Sequence, residues 1–230
     1  MKILSSLVIM FSLALAVQAD AAVIVSQYYE GAGSNKFIEL KNVGGTAFDL
    51  GTLRIGRWSN NDREGYKNDL APGFSTALSG SLAAEGIFLI AASGAAAPAY
   101  ALPPDLTSAV ASFNGDDSIG VYTVTSGTTF ETANLVDAIG FTSATQGLDT
   151  SFVRVTTAPG FDLTFGSSVD TFPDAWDEAS ILSVNNAEAG SDLRLGVSAV
   201  AVPEPSGLAC LAVTGAAVVG RRMRRKSVDA

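Results

Sequence analysis

Between Phe37 and Asn42 the chain reads F-I-E-L-K-N, so Ile38 and Leu40 fall on one side of an extended backbone and Glu39 and Lys41 on the other. A period of two marks a strand with one face buried and one in water. Ala22–Tyr29 (A-V-I-V-S-Q-Y-Y) is β-branched and aromatic, and Leu53–Trp58, Gly86–Ala91, Ser118–Val124, Leu135–Phe141 and Ser151–Thr156 repeat the type. Turn-forming pieces separate them, among them Glu30–Asn35, Ser59–Asp62 and Asn114–Asp117. No long helical period competes and no internal repeat is visible. Seven or more short strands in about 160 residues, without interleaved helices, predict an antiparallel β-sandwich. From Asn185 to Ala201 the composition shifts to Asn, Ala, Gly, Ser and Asp, which reads as a last strand running into a linker.

The two ends break this pattern. Lys2 precedes an apolar run from Ile3 to Val17, then Val17-Gln18-Ala19 puts small residues where signal peptidase reads, predicting cleavage between Ala19 and Asp20. The run is shorter than the roughly 20 residues of a membrane span. At the other end Val202-Pro203-Glu204-Pro205 precedes an apolar run, Ser206–Gly220, and then Arg221-Arg222-Met223-Arg224-Arg225-Lys226. The two prolines fix φ and hold their predecessors extended, which presents this peptide to a processing enzyme. A helix over residues 206–220 is about 22 Å long at 1.5 Å per residue, against a hydrocarbon core of about 30 Å. Snorkelling arginines and local thinning supply the difference, and the cations place that end in the cytoplasm with the domain outside.

Composition narrows the chemistry. The 230 residues include no histidine, which removes the usual general base, the commonest transition-metal ligand and every His-containing triad. The single cysteine, Cys210, lies in the C-terminal apolar run, so the domain has no disulfide. Residues 20–205 carry 8 basic and 22 acidic side chains, a net charge of −14, which disfavours nucleic acid as a partner.

The ordered pieces V-I-V-S-Q-Y-Y-E-G, K-F-I-E-L-K-N-V-G-G-T-A-F-D-L-G, S-F-N-G-D-D-S-I-G-V-Y, V-D-A-I-G-F and S-F-V-R-V resemble the lamin-tail domain of bacterial secreted proteins, over about residues 22–183 and including Trp176. The resemblance implies an immunoglobulin-like β-sandwich, an accessory or interaction module without shared catalytic residues. The C-terminus resembles the PEP-CTERM sorting signal in all three of its parts: Val202, Pro203, Glu204 and Pro205, then the apolar run, then Arg221, Arg222, Arg224 and Arg225. That resemblance implies recognition by exosortase, a membrane-embedded cysteine protease or transpeptidase of bacteria that make exopolysaccharide.

Three stretches carry candidate chemistry. Arg54–Lys67 mixes cations with Trp58 and Tyr66, as a site for acidic polysaccharide or nucleic acid would, although its acidic neighbours favour a solvated strand end and loop. Asn114, Asp116 and Asp117 could offer oxygens to Ca²⁺, without EF-hand spacing; ordinary turn capping is the simpler reading. A hydrolase needs only two carboxylates about 5–10 Å apart, and Asp116 with Asp117 is the pair to mutate first.

The expectation is therefore an all-β protein with four parts. They are a signal peptide at 1–19, an immunoglobulin-like, lamin-tail-type sandwich at 20–184, a last strand and linker at 185–201, and a sorting signal at 202–226 containing one short transmembrane helix. Its expected role is a non-catalytic structural or adhesive module at the cell surface or in the extracellular matrix, without cofactor. Signal peptidase and an exosortase-type protease are its processing partners, and the membrane holds residues 206–220. The alternative is a binding module for acidic polysaccharide or Ca²⁺.

Overall fold

In the computed structural model the residues described are 23–96, 100, 102–124, 130–141, 147–154, 176–186 and 194–197. They belong to one compact unit, Ala19–Val202. The expected signal peptide at 1–19 and sorting signal at 202–226 lie outside the described residues. Among the described residues no helix is long and apolar enough to cross a membrane.

The strands are β1 (Val23–Glu30), β2 (Lys36–Asn42), β3 (Phe48–Asp49), β4 (Leu53–Trp58), β5 (Phe74–Ala77), β6 (Ser81–Leu82), β7 (Ile87–Ala91), β8 (Leu106–Thr107), β9 (Ser118–Thr123), β10 (Leu135–Ile139), β11 (Thr150–Arg154) and β12 (Trp176–Ser180). A short helix, α1 (Ile181–Asn186), follows β12. Six strands form one sheet in the order β12-β11-β1-β2-β7-β8, four form a second in the order β10-β9-β4-β5, and β3 pairs with β6. Every pairing between these strands is antiparallel except the short β7–β8 contact. All seven strands read from the alternation are present within a residue or two. Phe48–Asp49 makes only a two-residue pairing, after which Asp49 caps a 3-10 turn by accepting from the Gly51 N–H at 2.9 Å.

The two large sheets share one core, so the chain is an all-β protein of two layers. Val23, Val25 and Tyr28 of β1, Ile38 and Leu40 of β2, Ile90 of β7 and Phe152 of β11 meet Leu53 and Ile55 of β4, Ile119 and Val121 of β9 and Ile139 of β10. Burying each such side chain contributes roughly 1.5–3 kcal/mol. Tyr28 sits at the centre, stacked on Phe113 at 4.2 Å and edge-on to Phe141 at 5.0 Å.

The outer faces are covered as well, which departs from the half-wet strand expected of F-I-E-L-K-N: Glu39 is 0% and Lys41 7% exposed. Outside the six-stranded sheet, Tyr29, Phe37, Leu89 and Ala91 pack with Val184 of α1, Leu195 and Tyr100. Outside the four-stranded sheet, Trp58, Tyr66, Tyr122 and Ala138 pack with Phe130 and Leu135. The C-terminal stretch expected to be a last strand has a different form in its described residues. The last strand is β12, and Ile181 and Val184, three apart in α1, turn one helical face onto the sheet while Leu182 is 70% exposed. Leu195 makes a single parallel bridge to Tyr100.

Burial pushes the phenols of Tyr28, Tyr66 and Tyr122 above their ordinary value of 10, with nearby carboxylates adding to the effect. In the unfolded chain they ionise near pH 10, so above that pH the unfolded state sheds protons that the native state keeps. Their contribution to stability is complete below pH 10 and falls as pH rises. The tyrosinate absorbance of these three residues should therefore appear together with loss of near-ultraviolet dichroism, in one cooperative step above pH 10. Ionisation of these tyrosines near pH 10 in a protein that keeps its fold would contradict this packing.

Candidate functional site: the Asn114–Asp117 turn and its arginines

Asn114-Gly115-Asp116-Asp117 leads into β9 at one end of the sandwich. The turn closes on itself: the Asp117 N–H donates to the Asn114 carbonyl at 3.0 Å, and the Asn114 N–H donates to Asp117 Oδ2 at 3.1 Å. Tyr28 reaches out of the core to donate its hydroxyl to the Asn114 carbonyl at 3.1 Å. Gly115 is required by close approach, because a Cβ there would stand 2.3 Å from the backbone nitrogen of Leu148. Its carbonyl accepts from the Gly147 N–H at 2.6 Å, so the turn and the 147–149 segment are stitched together. Gly115→Ala should cost about 1–3 kcal/mol, since the atoms it meets are backbone and cannot swing aside. A lower urea midpoint at unchanged slope is the expected readout.

Two arginines face this turn. Arg57, at the end of β4, lies with Nη1 3.6 Å from Asp117 Oδ2, and Arg63 with Nη1 3.6 Å from Asp116 Oδ2. At 3.6 Å these are charge contacts without direct hydrogen bonds. The Arg57 guanidinium also lies 4.2 Å from the ring centre of Phe74, its partner across the β4–β5 ladder. Burial raises the Asp117 carboxyl above its ordinary value against the pull of the Asn114 N–H and Arg57, and lowers Arg57 against the pull of Asp117. Removal from water thus outweighs pairing on both partners.

The three Ca²⁺ candidates are therefore differently placed. Asp116 and Asp117 are buried, each beside its own guanidinium, while the Asn114 residue is exposed and its backbone is committed to the turn. Among the described residues no group of three or more acidic, histidine or cysteine side chains is arranged to hold a metal ion. The same two carboxylates, the pair singled out for hydrolysis, each face a guanidinium at 3.6 Å.

The two aromatic residues of the Arg54–Lys67 run point inward, while Asn60, Asp62 and Glu64 are exposed. Trp58 and Tyr66 are each 1% exposed, edge to face at 6.2 Å, and the indole N–H donates to the Leu70 carbonyl at 2.9 Å. Tyr122 donates to the Tyr66 carbonyl at 3.3 Å. Lys67 is paired with Glu64 at 3.1 Å. The aromatic rings that would stack on a sugar are core residues.

Sequence reasoning missed three buried carboxylates that organise this body. Asp137 of β10 accepts from the Val25 N–H at 2.7 Å and from Arg154 at 2.5 Å, at the point where a bulge around Ser26 takes β1 out of register with β2. Glu30 pairs with Lys36 and accepts from the Asp149 N–H at 2.6 Å. Glu39 accepts from the Ser26 hydroxyl at 2.6 Å and the Gly196 N–H at 2.5 Å. The signal available was an acid or a cation inside an otherwise apolar strand, V-D-A-I and S-F-V-R-V.

Fold and site together define an all-β body whose charged groups tie its loops to its sheets. No family model matches the chain, and no curated protein matches it.

Proposed function

We propose that this chain is a non-catalytic structural or adhesive module, exported and sorted to the cell surface or extracellular matrix of an exopolysaccharide-producing bacterium. The body is read as an immunoglobulin-like sandwich of the lamin-tail type, the residues around Ala19 and Asp20 as the signal peptidase site, and residues 202–226 as the substrate of an exosortase-type protease. The observations that carry the non-catalytic reading are the pairing of Asp117 with Arg57 and of Asp116 with Arg63, and the burial of Trp58 and Tyr66. The groups with the most chemistry are spent on holding the turn and the loops. The net charge of −14 on residues 20–205 supports a life among sugars and water rather than on nucleic acid. The sorting reading rests on the two prolines, the short apolar run and the arginine cluster.

Deleting residues 202–226 should move the protein from the membrane and surface fractions to the medium. Mass spectrometry of the mature wild-type protein should find its C-terminus near Pro203-Glu204-Pro205. A deletion that leaves destination and size unchanged, or mature protein that retains Cys210 peptides, overturns the sorting reading.

A further inference from the structure

The last described segment, Arg194–Val197, is seated on the outer face of the six-stranded sheet. Leu195 is 0% exposed among Tyr29, Phe37, Leu89 and Ala91. The next residue, Gly196, has φ of +86° and donates its N–H to Glu39 Oε2 at 2.5 Å; a Cβ on it would stand 3.0 Å from the Leu102 nitrogen. Arg194 donates to the Tyr100 carbonyl at 3.5 Å, and the Val197 N–H closes back on the Arg194 carbonyl at 3.2 Å. Glu39 belongs to β2, an interior strand of the sheet, whereas β12, the strand nearest in sequence to this segment, is at the sheet edge.

That placement matters for a body held by its C-terminus. An edge strand pulled from its own end peels one ladder bond at a time, which is the weakest way to load a sheet. A chain seated in the middle of the sheet, with an apolar side chain and a buried carboxylate contact, must break those contacts together before β12 feels the pull. We infer that Arg194–Val197 is a mechanical latch: it ends the folded body on β2 and keeps tension from the C-terminal tail off α1 and edge strand β12. The inference rests on the proposed anchoring of the tail for the source of tension, but not for the latch itself. Release of the latch frees residues 187–197, which adds at most about 40 Å of chain at 3.3–3.6 Å per residue.

The test is to stretch the purified full-length chain, solubilised in detergent, between handles at its two ends. The wild-type protein should open in two steps, a short first extension of no more than about 40 Å and then the body. Leu195→Ser should abolish the first step and open the body at lower force. Leu195→Ala, the milder change, should weaken the first step while hydrogen exchange in β4 and β9 stays as in wild type, showing that the body is folded. A wild-type chain that opens in one step, or a Leu195→Ser chain that keeps the first step, overturns the latch. Fractionation of the 202–226 deletion tests the anchoring separately, so a failed tail reading is distinguishable from a failed latch.

Discussion

Asp137→Ala is expected to lower the unfolding free energy by about 3–5 kcal/mol, because it takes away the carboxylate that faces a fully buried guanidinium. Asp137 and Arg154 are both 0% exposed at their side chains, and the carboxylate serves Arg154 and the Val25 N–H at once. Burial raises the carboxyl and lowers the guanidinium, with their mutual attraction opposing both shifts. Removing the acid leaves Arg154 against the Trp176 ring, 5.3 Å from its centre, and leaves the Val25 N–H without its acceptor at the β1 bulge. Denaturant unfolding of the single variant measures the loss. The double variant Asp137→Leu, Arg154→Met should recover much of it, since a well-packed apolar pair replaces a buried ion pair at little cost. A single variant that loses under about 1 kcal/mol would mean that the pair is not the buried pin described here.

Trp58→Ala is expected to cost about 3–5 kcal/mol as well, through a different mechanism, the loss of a large side chain from a packed cluster. Trp58 touches Tyr66, Tyr122 and Phe130 with ring centres 5.7–6.2 Å apart, and its indole N–H holds the Leu70 carbonyl. Gly65 and Gly140 exist as glycines to admit this cluster: a Cβ at Gly65 would stand 2.2 Å from Trp58 Cδ1, and one at Gly140 2.1 Å from the Tyr66 hydroxyl. The variant separates two readings of the Arg54–Lys67 run. A core tryptophan lowers the melting temperature; a surface sugar platform would lower polysaccharide binding and leave melting unchanged. Thermal melts with and without acidic polysaccharide check both at once.

The strands that were legible, β1, β2, β4, β7, β9, β10 and β11, carry β-branched or aromatic residues in runs of five to eight and face a shared core. β5, F-S-T-A, carries little apolar signal because it is exposed at three of its four positions. β3, β6 and β8 have two residues each, too few for any period, and exist because their partners are already in place. The candidate turn was legible as a turn from its Asn, Gly and Asp. That Arg57 and Arg63 come from β4 and the loop after it to neutralise the two aspartates was not, because more than 50 residues of chain separate each pair.

Alternation along the chain, together with turn residues between the runs, determined that this protein is built of strands and which side of each strand meets the shared core. The absence of histidine and the placement of the one cysteine determined which chemistries are closed to it. Tertiary structure alone decided that the second face of each sheet is also covered, which turned Glu39 and Trp58 from expected surface groups into buried ones. The physical reason is that a period of two reports only that the two faces of a strand differ. What lies against the polar face depends on segments distant in sequence, and a charged side chain is kept there only when those segments bring it a partner.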